Sequence, residues 1–124
     1  MLIAQITDTH ITSSGKLTLP RLPPKGGVVD TASGLERAVA ALVRLRPLPD
    51  ITVVTGDLVD AGEPAEYAYF RGLLAPLRMP VFVIPRNHDA REPMREAFSG
   101  DGYLPRRGIS ELRHRRIPIA HCRA

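Results

Sequence analysis

Apolar positions along the chain follow two rhythms. Three short runs, "LIAQI" (2–6), "ITVV" (51–54) and "VFVI" (81–84), are nearly continuous. The last two are rich in β-branched residues, as suits strands buried on both faces. Longer stretches between and after them repeat at helical spacing. Residues 31–46 place Leu35, Ala38, Val39, Leu42 and Val43 on one stripe, which predicts a helix. Asp30 or Thr31 can cap its start, and Pro47 stops it. Residues 64–75 open with Pro64 and carry Tyr67, Phe70 and Leu74 at helical spacing, predicting a second helix. A shorter third is expected over 92–98. The order β-α-β-α-β-α predicts an α/β fold with parallel strands joined by right-handed crossovers.

Two stretches break this rhythm. Residues 13–29 are rich in Pro and Gly and read as a long loop, of the kind that is usually functional or mobile. After Tyr103 neither alternation nor a clear helical stripe persists, so the sequence divides into a domain over 1–104 and a basic, irregular tail over 105–124. The net charge of +4 belongs to that tail. Residues 104–124 hold six Arg against one Glu, while the rest of the chain is close to neutral. A basic face spread through the fold is not supported, so nucleic acid is not an expected partner. No apolar run approaches the ~20 residues that span a bilayer, so no membrane is expected. The start "MLIAQITDTH" lacks a basic leader, and one cysteine, Cys122, excludes an intrachain disulfide framework. The default expectation is cytoplasmic.

Each expected strand runs directly into polar residues of metal-ligand type: "TDTH", "TGDLVD" and "PRNHD". Loops at the carboxyl ends of parallel strands share one edge of the sheet. Asp8, His10, Asp57, Asp60, Asn87, His88 and Asp89 are therefore expected to converge although they are far apart in sequence. Carboxylate and amide oxygens with imidazole nitrogens suit borderline divalent ions such as Mn, Fe, Co or Zn. A carboxylate can bridge two ions, and two ions about 3.5–4 Å apart can clamp a phosphoryl group and activate water. Gly56 would let the backbone turn sharply and bring Asp57 inward. Asp30, Asp50, Glu63 and Glu66 read as caps, turns or solvated faces.

The pattern "DTH" (8–10), "GDLVD" (56–60) and "RNHD" (86–89) resembles that of the calcineurin-like metallophosphoesterases. The stretches "ITDTHI", "VTGDLVDAGEPAEY" and "VIPRNHD" look most like the bacterial class III cyclic-nucleotide and glycerophosphodiester phosphodiesterase branch. The resemblance covers residues 1–104. It implies the N-terminal half of a two-sheet sandwich flanked by helices. It implies two divalent ions, with Asp8 and His10 on the first, Asp57 bridging, and Asn87 on the second. Asn87 and His88 would contact the substrate phosphate, His88 would act as the catalytic residue off the metals, and Asp60 would hydrogen-bond and orient it. Asp89 would have a supporting role. The reaction implied is attack of metal-bound hydroxide on a small phosphodiester.

The sequence departs from the family pattern in two places. The pattern calls for a further His and then a Gly-His-x-His motif; only His114 and His121 remain, seven apart and without that form. The expectation is a truncated or frameshifted chain without tight binding of two ions, the second keeping only Asp57 and Asn87 and the first losing its closing ligand, with an open sheet face, and low stability, aggregation or rescue by a partner such as a second copy. A non-catalytic metal- or phosphate-binding remnant is the alternative. The family also has Gly where Arg86 stands, which implies a positive φ there and a cost on the order of 1–2 kcal/mol for a residue with a side chain.

Overall fold

The computed structural model describes residues 1–19, 27–102, 110–114 and 117–122. Its elements in chain order are β1 (Ile3–Thr7), β2 (Lys16–Leu19), β3 (Gly27–Asp30), α1 (Thr31–Arg44), β4 (Ile51–Thr55), α2 (Pro64–Leu74), β5 (Val81–Ile84), α3 (Arg91–Ala97), a 3-10 turn (Ser99–Asp101), β6 (Ser110–His114) and β7 (Ile117–Cys122). The three runs expected as strands form a parallel sheet in the order β1-β4-β5. The α/β class holds.

Register within this sheet sets up everything that follows. Thr7 pairs with Thr55, and Thr55 pairs with Ile84. All three strands therefore end at one level, and the chain leaves each of them on the same edge. The helices pack on one face. Leu35 and Val39 of α1, Tyr67, Phe70, Leu73 and Leu74 of α2, and Met94 of α3 are buried together with Val54 and Val83 of the sheet. Burying one such side chain contributes about 1.5–3 kcal/mol, so this layer holds the strand ends in place. The other face is open at β1, where Ile3, Gln5 and Thr7 are exposed, and closed at β5, where Phe82 is buried.

Helix ends follow local chemistry. Asp30 Oδ1 accepts a hydrogen bond from the Ser33 amide at 2.9 Å, as an N-cap carboxylate does. That bond holds the Asp30 carboxyl below its ordinary value of 3.8. A depressed carboxylate stabilises the fold above that value and loses its contribution as the pH falls through the folded-state pKa. Asp30→Ala should therefore lower Tm by roughly 2–5 °C at pH 7 and by progressively less as the pH falls through the acid range, read by thermal circular dichroism across that range. The helix ends at Arg44, and Leu45 is already extended at ψ 144° ahead of Pro47, which cannot continue a helix.

Two expectations are corrected. Residues 13–29 are not simply loop: β2 pairs antiparallel with β3, Leu17 opposite Val29 and Leu19 opposite Gly27. Exposed Lys16 and Thr18 alternate with half-buried Leu17 and Leu19, a short strand rhythm that the surrounding Pro and Gly obscure in the sequence. The most Pro-rich part of the stretch, 20–26, lies outside the described residues. The described residues of the tail, 110–114 and 117–122, are not irregular either. β6 pairs antiparallel with β7, Ser110 opposite Cys122 and Leu112 opposite Ala120, with a register shift between Leu112 and His114. Ile117 and Ile119, two apart and β-branched, are the strand signal there. Arg106 and Arg107, among the basic residues of that tail, lie outside the described residues.

Candidate metal centre

After β1 the chain makes two left-handed steps. Asp8 has φ 52° and His10 has φ 43°. Residues with side chains occupy that region rarely, and such strain survives only where surrounding contacts over-determine it. Those contacts are present. The amides of Asp8, His10 and Ile11 donate to the carbonyls of Thr55, Asp57 and Leu58 at 3.0–3.1 Å. Thr9 Oγ1 donates to the Leu58 carbonyl at 2.6 Å. Beyond the turn, Ile11 forms a parallel bridge with Val59, and Ile11, Leu58 and Val59 are fully buried. Residues 8–10 are thus pinned between a strand and a core anchor.

Gly56, at φ +86°, makes the matching turn after β4. A Cβ at this position would stand 2.4 Å from Asp8 Oδ1. Only glycine lets the β4 backbone approach the Asp8 carboxylate this closely. Gly56→Ala combines the left-handed penalty of about 1–2 kcal/mol with overpacking of about 1–3 kcal/mol. It should lower Tm by roughly 10 °C and displace Asp8, checked by thermal melting and crystallography.

The side chains do converge. Asp8, His10 and Asp57 offer ligand atoms that all lie within 4.8 Å of one another. His10 Nε2 stands 3.9 Å from Asp57 Oδ2. Asp8 is held as the carboxylate by the Thr7 hydroxyl at 2.6 Å and, more weakly, by the Asp57 amide at 3.4 Å, which lower its pKa. Asp57 is buried and Asp8 exposed, so the set opens to solvent on one side.

The third loop joins from β5. The main-chain amide of His88 donates to Asp57 Oδ1 at 3.2 Å, and the His10 and His88 rings meet edge to face with centroids 5.4 Å apart. Asn87 is exposed on this turn, one residue before His88. His88 Nδ1 lies 2.8 Å from the Asp60 carbonyl oxygen, which can only accept, so Nδ1 carries the proton and Nε2 is left facing outward. This hydrogen bond raises the pKa of His88. His10, Asp60 and His88 form a second close group. With Nδ1 of His88 committed to the carbonyl, only its Nε2 is left to act as a ligand there.

The sequence decides what such a centre belongs to. A family model for calcineurin-like phosphoesterases matches residues 1–121. The chain belongs to the calcineurin-like phosphoesterase family. It is 36% identical over 98 residues to a probable glycerophosphodiester phosphodiesterase of Arcobacter nitrofigilis, covering 79% of this chain and 33% of that protein. It is 40% identical over 89 residues to a glycerophosphodiester phosphodiesterase of Enterobacter lignolyticus, covering 72% of this chain and 30% of that protein. A 3′,5′-cyclic adenosine monophosphate phosphodiesterase of Pseudomonas aeruginosa is 35% identical over 104 residues, covering 84% of this chain and 36% of that protein. The chain spans about a third of the length of these curated relatives.

The residues present fit the divalent ions that this phosphoesterase family implies. Two carboxylates and an imidazole converge, and His10 Nδ1 is buried with no hydrogen-bond partner among the described residues. Asp60 Oδ1 stands 3.6 Å from it. A histidine that ligates through Nε2 commonly gives its other N–H to a carboxylate, and Asp60 is placed for that. The Asp60 carboxylate stands between the two imidazoles, 3.8 Å from His88 Nδ1. Its main-chain carbonyl, rather than its carboxylate, makes the short contact to His88.

Arg86 requires a correction. Among the described residues, only Asp8 and His10 have positive φ without being glycine. Arg86 is therefore unstrained, and the expected conformational cost does not arise. Its side chain is exposed and its amide donates to Asp89 Oδ2 at 3.0 Å. Asp89 is the hub of this region: Oδ2 also accepts from the Leu58 amide at 3.1 Å, and Oδ1 accepts from the Val59 amide at 3.3 Å and the Tyr67 hydroxyl at 3.0 Å. Glu66, expected on a solvated face or as a cap, is buried and accepts from the amides of Ala61 and Glu63 at 2.9 and 3.2 Å. It fixes the exit of the second loop onto α2.

Proposed function

We propose that the protein hydrolyses a small phosphodiester with the aid of two divalent ions. The observation that carries this reading is the in-register ending of three parallel strands, which brings Asp8, His10 and Asp57 together beside His88. Asp8 and His10 would hold one ion, Asp57 would bridge, and Asn87 would reach the second. Mn, Fe, Zn and Co are the ions this donor set suits. When bound, such ions supply Lewis acidity toward the phosphoryl oxygens and lower the pKa of coordinated water.

The chain's own residues do the rest. Asp57 carries a buried negative charge whose orientation is set by the His88 amide. Asp60 fixes the His88 ring through Nδ1, leaving Nε2 as the one ring position able to meet a substrate oxygen. The raised pKa favours the protonated ring, which suits a group that polarises a phosphoryl oxygen or hands a proton to a departing alcohol. The products would be an alcohol and a phosphomonoester. Relatives named for glycerophosphodiesters and for cyclic nucleotides support the diester class. No helix among the described residues is long and apolar enough to cross a membrane.

Bis(p-nitrophenyl) phosphate tests the reading. The chain with added Mn2+ should release p-nitrophenolate above the buffer rate, and EDTA should abolish the release. Ion uptake without turnover would favour a non-catalytic binding domain instead.

A further inference from the structure

The Asp89 hub lies outside the ligand set yet joins the second and third of the three loops that carry it. Leu58 and Val59 follow Asp57 directly, and Arg86 precedes Asn87 and His88. Asp89 gathers the amides of all three of these neighbours on its two oxygens. The Tyr67 hydroxyl completes the arrangement. It donates to Asp89 Oδ1 at 3.0 Å and accepts from the Ala90 amide at 2.8 Å, so it holds the third loop by a side chain and by the main chain of the next residue. Tyr67 is fully buried on α2, between Glu66, which holds the end of the second loop, and the core.

The energetics point the same way. Burial and the adjacent Asp89 charge push the Tyr67 phenol strongly upward, so the hydroxyl stays protonated and stays a donor. The bonds from Leu58, Val59 and Tyr67 to Asp89 and from Ala90 to Tyr67 are part-buried, while the one from Arg86 is exposed; removing a part-buried partner leaves others unsatisfied. Rigid outer contacts of this kind set how accurately inner ligands are placed, and losing one typically lowers metal affinity about 10–100-fold.

We propose that Tyr67 and Asp89 are positioning residues that lock the third loop to the second, and thereby fix Asn87 and His88 relative to Asp57. The lock itself rests on hydrogen bonds that are independent of any ion, while its consequence for metal affinity rests on the function proposed above. Tyr67→Phe removes one hydroxyl without changing the core volume. Asp89→Asn replaces one oxygen by an amide NH2 that faces amide or hydroxyl donors, so it should act more strongly than Tyr67→Phe.

Two readouts on the full chain test this. Hydrogen exchange reads the lock, and Mn2+ titration followed by electron paramagnetic resonance reads its consequence. Phe70→Leu, a core change on the same helix, serves as the comparison for general destabilisation. In Tyr67→Phe, exchange should accelerate at least about tenfold at residues 86–90 and 57–60 while α1 keeps its protection, and Mn2+ affinity should fall about 10-fold. Asp89→Asn should do both to a greater degree. Exchange that rises uniformly, as in Phe70→Leu, with wild-type Mn2+ affinity would overturn the proposal. A wild-type chain that takes up no Mn2+ but shows the same local loosening in Tyr67→Phe would sink the metal reading and leave the lock standing.

Discussion

Asp57→Asn should lower Mn2+ affinity by more than about 100-fold, beyond what loss of an outer partner typically costs. The substitution is nearly isosteric. An Asn oxygen can still accept the His88 amide that Asp57 Oδ1 holds at 3.2 Å, so the third loop keeps its anchor. What disappears is the buried negative charge at the point where all three loops meet. In the ion-free chain Asp57 and Asp8 repel one another, and the neutral amide relieves that repulsion. Thermal melting in EDTA should therefore show Tm unchanged or raised, while calorimetric titration shows the loss of binding. Affinity within a fewfold of wild type would remove Asp57 from the ligand set.

His88→Ala should separate chemistry from binding. The His88 ring is engaged through Nδ1 by the Asp60 carbonyl, and its main-chain amide supports Asp57. Alanine keeps that amide. Mn2+ affinity should then stay within about threefold, while turnover of bis(p-nitrophenyl) phosphate should fall about 10²–10⁴-fold, the usual loss on removing a positioned acid. The opposite split, with affinity lost and turnover per bound ion retained, would move His88 among the ligands.

The candidate site was legible because each ligand-type residue directly follows an apolar run. The β-branched runs identify strands, and parallel strands must present their carboxyl ends together. Sequence alone does not contain the register, yet it is the pairing of Thr7, Thr55 and Ile84 that makes the convergence close. Gly56 was readable for the same reason, since a glycine between a strand and a carboxylate signals a turn or a close approach. Asp8 and His10 were not readable as left-handed residues, because either type is commoner in ordinary conformations and only the ladder to residues 55–58 holds them there.

Other features were hidden for specific reasons. Tyr67 registers in the sequence as one apolar position of a helical stripe, which hides its hydroxyl. A buried phenol nearly always finds a partner, and that rule is the signal that could have singled it out. Glu66 was readable as a cap, and it is one, accepting from the Glu63 amide at the start of α2; its bond from the Ala61 amide and its burial were not readable. Arg86 was expected to be strained by comparison with a glycine, but a glycine's presence elsewhere does not require its special conformation here, and the backbone at Arg86 does not adopt it. The β2–β3 and β6–β7 pairs were missed because four to six residues give too few alternations to stand out from Pro, Gly and Arg neighbours.

Strand register, two left-handed turns and one obligatory glycine thus combine to place Asp8, His10 and Asp57 around a common point. Zinc anomalous diffraction from crystals of the full chain grown with Zn2+ tests that claim most directly. The expected result is a peak about 2.0–2.2 Å from a carboxylate oxygen of Asp8, a carboxylate oxygen of Asp57 and an imidazole nitrogen of His10. Zinc bound only between His10, Asp60 and His88, or absent from this edge of the sheet altogether, would contradict it.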